Sequence, residues 1–320
     1  MGSGKWSPAT YNDRAVLRSR LGKDVFDYSA AAMRSGQLRP HQTLDPQGLG
    51  IRESRDSQEH PDSNAIIISL DVTGSMGRVV RGIHSDLPHL HELLLGHKYI
   101  PHPQIMFAAV GDATCDAVPL QVGQFESDNR MDQNLEDMIL EGGGGGQKTE
   151  SYELMMYVAA RHTAIDCWEK RQRKGYLFII GDEMAYSSVK SAEVTRILGD
   201  DLQSDVLLKQ IVKEVRQRYH VYFIIPGRAA HGSEEHINVF WQDLLGEKYI
   251  IKLDDPADTS ESIALTIGVN VGAITMKQGV EHLRGRGVLS DTVDRVMKSL
   301  SSLFGAGSSD AGKSDGSRWL

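Results

Sequence analysis

Three short apolar runs punctuate an otherwise mixed chain: residues 65–70 (Ala-Ile-Ile-Ile-Ser-Leu), 176–180 (Tyr-Leu-Phe-Ile-Ile) and 221–225 (Val-Tyr-Phe-Ile-Ile). β-Branched and aromatic residues dominate them, which predicts strands. None alternates strictly between apolar and polar, so both faces of each strand are expected to be covered, as in a mainly parallel sheet flanked by helices. Residues 104–110 give a weaker run of the same kind, residues 248–253 predict a peripheral sixth strand, and residues 120–122 suit a short edge strand.

Between these runs the period changes. Residues 151–169 and 205–219 read as helices, the second with Val206, Leu207, Gln210, Ile211 and Val215 forming most of an apolar stripe. A helix is also expected over residues 77–95, broken at Pro88, with Ser85 and Asp86 available to cap a second piece. Strand and helix alternate, which is the signature of a doubly wound α/β domain with a six-stranded, mainly parallel sheet over residues 62–270. Residues 1–61 show no strong period and are expected to form an arm that wraps this domain. Residues 271–304 form a helical extension, in which Val293, Val296, Met297 and Leu300 share one helical face, either packed on the parent domain or free to dock a partner. The Gly-, Ser- and Asp-rich tail, residues 305–320, is expected to be disordered.

Charge and cysteine usage narrow the function classes. A net charge of −8 without a basic stripe disfavours a protein held by phosphate backbones, so no nucleic-acid partner is expected. The two cysteines, Cys115 and Cys167, show neither a zinc-ligand spacing nor a disulfide framework. With no signal-like start and no long apolar span, the expected location is the cytoplasm, away from membranes.

The candidate chemistry follows the first strand, at Asp71-Val72-Thr73-Gly74-Ser75-Met76-Gly77. The alternating side chains of Asp71, Thr73 and Ser75 turn three oxygens toward one point, half of the set of about six that a hard cation such as Mg²⁺ requires. In a doubly wound sheet, ligands gather at the carboxyl ends of strands beside the point where strand order reverses. Asp182 stands at such an end, after the 176–180 run, and faces the same crevice if the two strands are neighbours. A further oxygen is expected from the glycine-rich loop at residues 142–151, from Thr149 or from Ser151 as the alternative. Glu183 is either an acceptor that orients metal-bound water or an ordinary helix-start acid.

Asp71-Val-Thr-Gly-Ser resembles the DxSxS signature of von Willebrand factor A (vWA) domains. The resemblance covers about residues 62–270 and implies a metal-ion-dependent adhesion site in which Asp71, Thr73 and Ser75 match the signature, Thr149 the loop threonine and Asp182 the distal acid. Thr73 replaces the usual serine but keeps the hydroxyl. What the resemblance implies is one Mg²⁺ (or Mn²⁺ or Ca²⁺) ion whose shell is completed by an Asp or Glu of a protein partner. Bacterial members of the family serve AAA+ ATPases of the MoxR type or multi-protein stress and defence modules, so an adaptor role is expected.

Other chemistries fit less well. A Mg²⁺-dependent phosphotransferase of the haloacid dehalogenase type also begins with an acid after a buried strand. It needs a second acid two residues on, where this chain has Thr73, which cannot act as a general acid or base near neutral pH. No GxxxxGK[ST] loop follows any strand. His89 and His91 stand two apart, a spacing that does not share a helical face, so the histidines between residues 84 and 102 read as surface or core residues rather than metal ligands. Asp112, Cys115 and Asp116 read as loop residues, solvated or at the crevice rim.

Overall fold

The computed structural model describes residues 4–143, 146–227 and 229–304, the side chain of Ser75 excepted. The tail expected to be disordered from Gly305 lies outside the described residues. Six strands form the main sheet: β1 (Asn64–Asp71), β2 (Pro103–Val110), β3 (Leu120–Val122), β4 (Gly175–Ile180), β5 (Tyr219–Ile225) and β6 (Ile250–Lys252). Their order is β6-β5-β4-β1-β2-β3, and every pairing is parallel except that of the edge strand β3 with β2. β1 lies between β2 and β4, with Asp71 opposite Val110 on one side and Leu70 opposite Ile180 on the other.

The longer helices among the described residues, and the short α4, flank this sheet or extend it: α1 (Pro8–Arg20), α2 (Asp27–Ser35), α3 (Gly77–Gly96), α4 (Arg130–Glu136), α5 (Tyr152–Arg161), α6 (Leu208–Arg218), α7 (Glu235–Leu245), α8 (Thr259–Asn270), α9 (Met276–Gly285) and α10 (Ser290–Phe304). The period-2 geometry of the strands divides the core. Ile67, Met106, Leu177, Ile179 and Phe223 join an apolar cluster with Leu154 and Val158 of α5, Ile211 and Val215 of α6, and Trp241 of α7. Their sequence neighbours Ile66, Ile68, Phe107, Phe178 and Ile224 join a second cluster with Val80, Ile83 and Leu87 of α3, Ile263 of α8, and Val293, Val296 and Leu300 of α10. The apolar face of the C-terminal extension is therefore packed on the parent domain.

Three elements depart from the sequence pattern. The helix expected over residues 151–169 stops at Arg161, where Thr163–Ile165 leave it to pair in parallel with Arg52–Ser54 of the N-terminal arm. The helix resumes only as Asp166–Glu169. Similarly, Val206 and Leu207, assigned to a helical stripe, pair antiparallel with Ser188 and Val189, and α6 begins at Leu208. α3 runs unbroken through Pro88. Proline leaves the carbonyl four residues earlier without its helical donor. That carbonyl belongs to His84, and it accepts a hydrogen bond of 2.9 Å from the Tyr11 hydroxyl of α1. A tertiary contact thus replaces the lost helical bond.

No helix among the described residues is long and apolar enough to cross a membrane.

Candidate functional site

β2 and β4 are the parallel neighbours of β1, so the residues just after each strand lie together at the carboxyl end of the sheet and line one crevice there, with Asp71 and Asp182 close enough to interact electrostatically. Asp71, the last residue of β1, is 1% exposed. Its Oδ1 accepts from the Thr73 amide at 2.9 Å and from the Thr73 hydroxyl at 2.6 Å, while its Oδ2 accepts from the Tyr152 hydroxyl at 2.6 Å. Burial pushes the Asp71 carboxyl up to about 7. The Thr73 and Tyr152 hydrogen bonds oppose that rise and Asp182 adds to it. Tyr152 reaches Asp71 by passing beneath Gly181, where any Cβ would lie 2.1 Å from the tyrosine oxygen. The side chain of Ser75 lies outside the described atoms.

Asp182 is buried beyond the end of β4, and its Oδ2 accepts from the His231 amide at 2.9 Å. Its neighbour Glu183 is half-buried, its carboxyl raised by burial and by Asp182, and its backbone carbonyl accepts from the Trp241 indole at 2.8 Å. The topology thus brings Asp71, Thr73 and Asp182 to one edge, as strand adjacency required.

The glycine-rich loop reaches the same place, but with a different side chain foremost. Gly74, in a left-handed conformation at φ +43°, donates to the Gly143 carbonyl at 2.8 Å and so holds the loop against the motif. Thr149 and Glu150 then form an extended pair parallel to Met184 and Ala185. Thr149 is half-buried and its hydroxyl donates to the Gln147 carbonyl at 3.3 Å. Ser151 is fully buried, and its Oγ accepts from the Ala113 amide at 2.9 Å. Glu150 is 1% exposed, and its Oε2 finds no hydrogen-bond partner among the described residues. Burial, then Asp71, Glu183, Asp116 and Asp112, push its carboxyl up to about 10.

Three further residues, Asp112, Glu150 and Tyr152, are not among the ligands expected from the sequence, although Asp112 is expected there either in solvent or at the crevice rim. Asp112, two residues past β2, is fully buried rather than solvated. Its Oδ1 accepts from the Thr114 amide at 2.8 Å and hydroxyl at 2.7 Å, repeating the Asp71–Thr73 arrangement on the adjacent strand end. The Tyr186 hydroxyl and the Gln147 side-chain amide also donate to Asp112, which ties the glycine-rich loop to β2. The repeated Asp-x-Thr spacing at 71–73 and 112–114 was the signal available for it. Glu150 had a subtler signal, since in an extended segment adjacent side chains point oppositely and only one of Thr149 and Glu150 can face the crevice. Tyr152 had none. Among the described residues, no three His, Cys, Asp or Glu side chains are arranged so as to hold a metal ion by themselves.

No family model matches the chain, and no curated protein matches it. Solved structures do. A proximal thread matrix protein from the mussel byssus aligns at 10% identity with a TM-score of 0.42, over 64% of this chain and 47% of that one. The pilus adhesin SpaC of Lactobacillus rhamnosus GG, in an open conformation, aligns at 9% identity with a TM-score of 0.46, over 67% of this chain and 31% of that one. The aligned part of the chain therefore spans only 31–47% of the length of these proteins.

Proposed function

We propose that residues 62–270 form a doubly wound vWA-type domain that binds one divalent cation, Mg²⁺ foremost, and through it a protein partner. The two apolar clusters, each pairing alternate strand residues with a different set of helices, support the doubly wound reading. The observation that carries the cation is the uncompensated acidity of the crevice: Asp71 and Glu150 are each 1% exposed with no ion pair among the described residues, and Glu150 keeps a bare buried oxygen. Buried acids without a cationic partner are costly, and a bound cation removes that cost.

Asp71, Thr73 and Asp182 fit such an ion, Ser75 is included on the spacing of the motif alone, and one contribution comes from the loop at residues 149–151. The Thr73 hydroxyl spends its proton on Asp71 and keeps lone pairs for a cation. The ion would supply concentrated positive charge and an open position for an Asp or Glu oxygen of the partner. Backbone amides hold the surroundings in place: Gly74 donates to the Gly143 carbonyl, and His231 donates to the Asp182 carboxylate. An adaptor for a AAA+ ATPase of the MoxR type is one assignment this chemistry accommodates.

Two experiments test the reading. Saturating Mg²⁺ raises the melting temperature by a few degrees, since ligand at 100 times Kd adds about 2.7 kcal/mol. Asp71→Ala removes that rise, and an unchanged rise in the variant refutes the site. A pull-down with and without chelator then reports on docking, and recovery of no chelator-sensitive partner counts against the adaptor role. A phosphotransferase reading is disfavoured by Thr73, which stands where a second acid is needed. Turnover of a generic phosphate ester that Asp71→Asn abolishes would restore it.

A further inference from the structure

We propose that the glycine-rich loop gives the cation Glu150, and not the hydroxyl of Thr149 or Ser151. This rests on the cation-binding reading above and specifies its ligand set. Four observations converge on it. The parallel pairing of Thr149 with Met184 and of Glu150 with Ala185 locks the segment beside the chain that has just left Asp182 and Glu183. Backbone bonds from Met184 to the Lys148 carbonyl and from Ser151 to the Gly111 carbonyl, each 3.1 Å, pin it at both ends. In that extended segment the two side chains part, and Thr149 takes the side where Gln147 accepts its proton. Ser151 is held at the other end by the Ala113 amide.

Glu150 is what remains, 1% exposed, with Oε2 unpartnered among the described residues. A carboxylate enclosed in this way is stable only if it is protonated or if something cationic joins it. The neighbouring Lys148 does not serve, since its ammonium bonds both oxygens of Glu234 at 2.7 and 2.8 Å. A divalent cation held by Asp71 and Glu150 would have its charge matched by two carboxylates, with the Thr73 hydroxyl as a neutral ligand. Asp182, whose Oδ2 already accepts from the His231 amide, then acts through a metal-bound water.

The test is calorimetric titration of Mg²⁺ and of Mn²⁺, alone, into wild-type protein and single variants, with melting curves recorded in chelator for each. Glu150→Gln keeps the shape and removes the charge. It is expected to weaken cation binding at least about tenfold, while melting in chelator at or above the wild-type temperature, because a buried acid without a partner has gone. Thr149→Val is expected to stay within about twofold of wild type, because an uncoordinated hydroxyl contributes nothing to the shell. Wild-type affinity in Glu150→Gln, or a tenfold loss in Thr149→Val, overturns the assignment. Should Glu150→Gln fail to fold, Thr149→Val and Ser151→Ala decide together: affinity within about twofold of wild type in both supports the assignment, and a loss of about tenfold in either overturns it. Asp71→Ala separates the levels: undiminished binding there defeats the cation site itself, whereas lost binding there with intact Glu150→Gln defeats only the role of Glu150.

Discussion

Tyr152 and Gly181 form the tightest mutual dependence in the crevice. The tyrosine hydroxyl donates to Asp71 through space that only a glycine leaves open. Tyr152→Phe removes one donor from a buried acid and is expected to cost about 1–3 kcal/mol in urea unfolding. Gly181→Ala sets a methyl against a fully buried ring and is expected to cost about 1–3 kcal/mol as well. Because both changes break the same contact, their combined cost should fall short of the sum, and full additivity would show that the contact is not shared. Sequence reading identified Asp71 and Thr73 because their ligand-like spacing is local. It had no access to Tyr152, which lies 81 positions away and is brought in by the fold.

Helix α3 shows the same dependence among elements. Its interior Pro88 predicted a break, yet the His84 carbonyl that proline orphans is satisfied by Tyr11 from α1. Tyr11→Phe is expected to destabilise the protein by about 1 kcal/mol. The cost should shrink in a Pro88→Ala background, where the helix recovers its own donor. An equal cost in both backgrounds, measured by thermal or urea melts, would mean that Tyr11 acts only through packing. The termination of α5 at Arg161 has a related origin, for residues 163–165 trade helical bonds for a ladder with Arg52–Ser54. Local periodicity favours helix there, and a partner from over 100 positions away overrules it.

At the scale of the whole molecule, the N-terminal arm fastens across the domain. Arg14 and Arg18 of α1 pair with Glu136 of α4, and Trp6 stacks on His91 of α3 with ring centroids 5.0 Å apart. His91 is 2% exposed, and burial lowers its ring from 6.5 to about 4. The folded protein thus keeps His91 neutral while the unfolded chain takes up its proton below pH 6.5. Stability is fully present above that value and is lost as pH falls from about 6.5 to 4, by at most about 3 kcal/mol. Below pH 4 both states carry the proton and the loss stops growing. His91→Leu should flatten this limb in urea melts recorded across the interval, whereas an unchanged slope would assign the acid sensitivity to other groups.

The sequence by itself determined the strands of the sheet and the Asp71–Thr73 motif, because an apolar run and a turn-forming tripeptide carry their instructions within a few residues. Asp182 was legible one step further, through the rule that buried parallel strands end at a shared edge. Only the tertiary structure decided which side chain the glycine-rich loop turns inward. The sequence pointed to the hydroxyl of Thr149 or of Ser151 and passed over the adjacent Glu150. The pairing of that segment with Met184 and Ala185 sends the threonine hydroxyl to Gln147 and leaves the glutamate enclosed near Asp71. The physical reason is parity: one residue of register in an extended segment exchanges inside for outside, and register is fixed by a partner strand that no local pattern names.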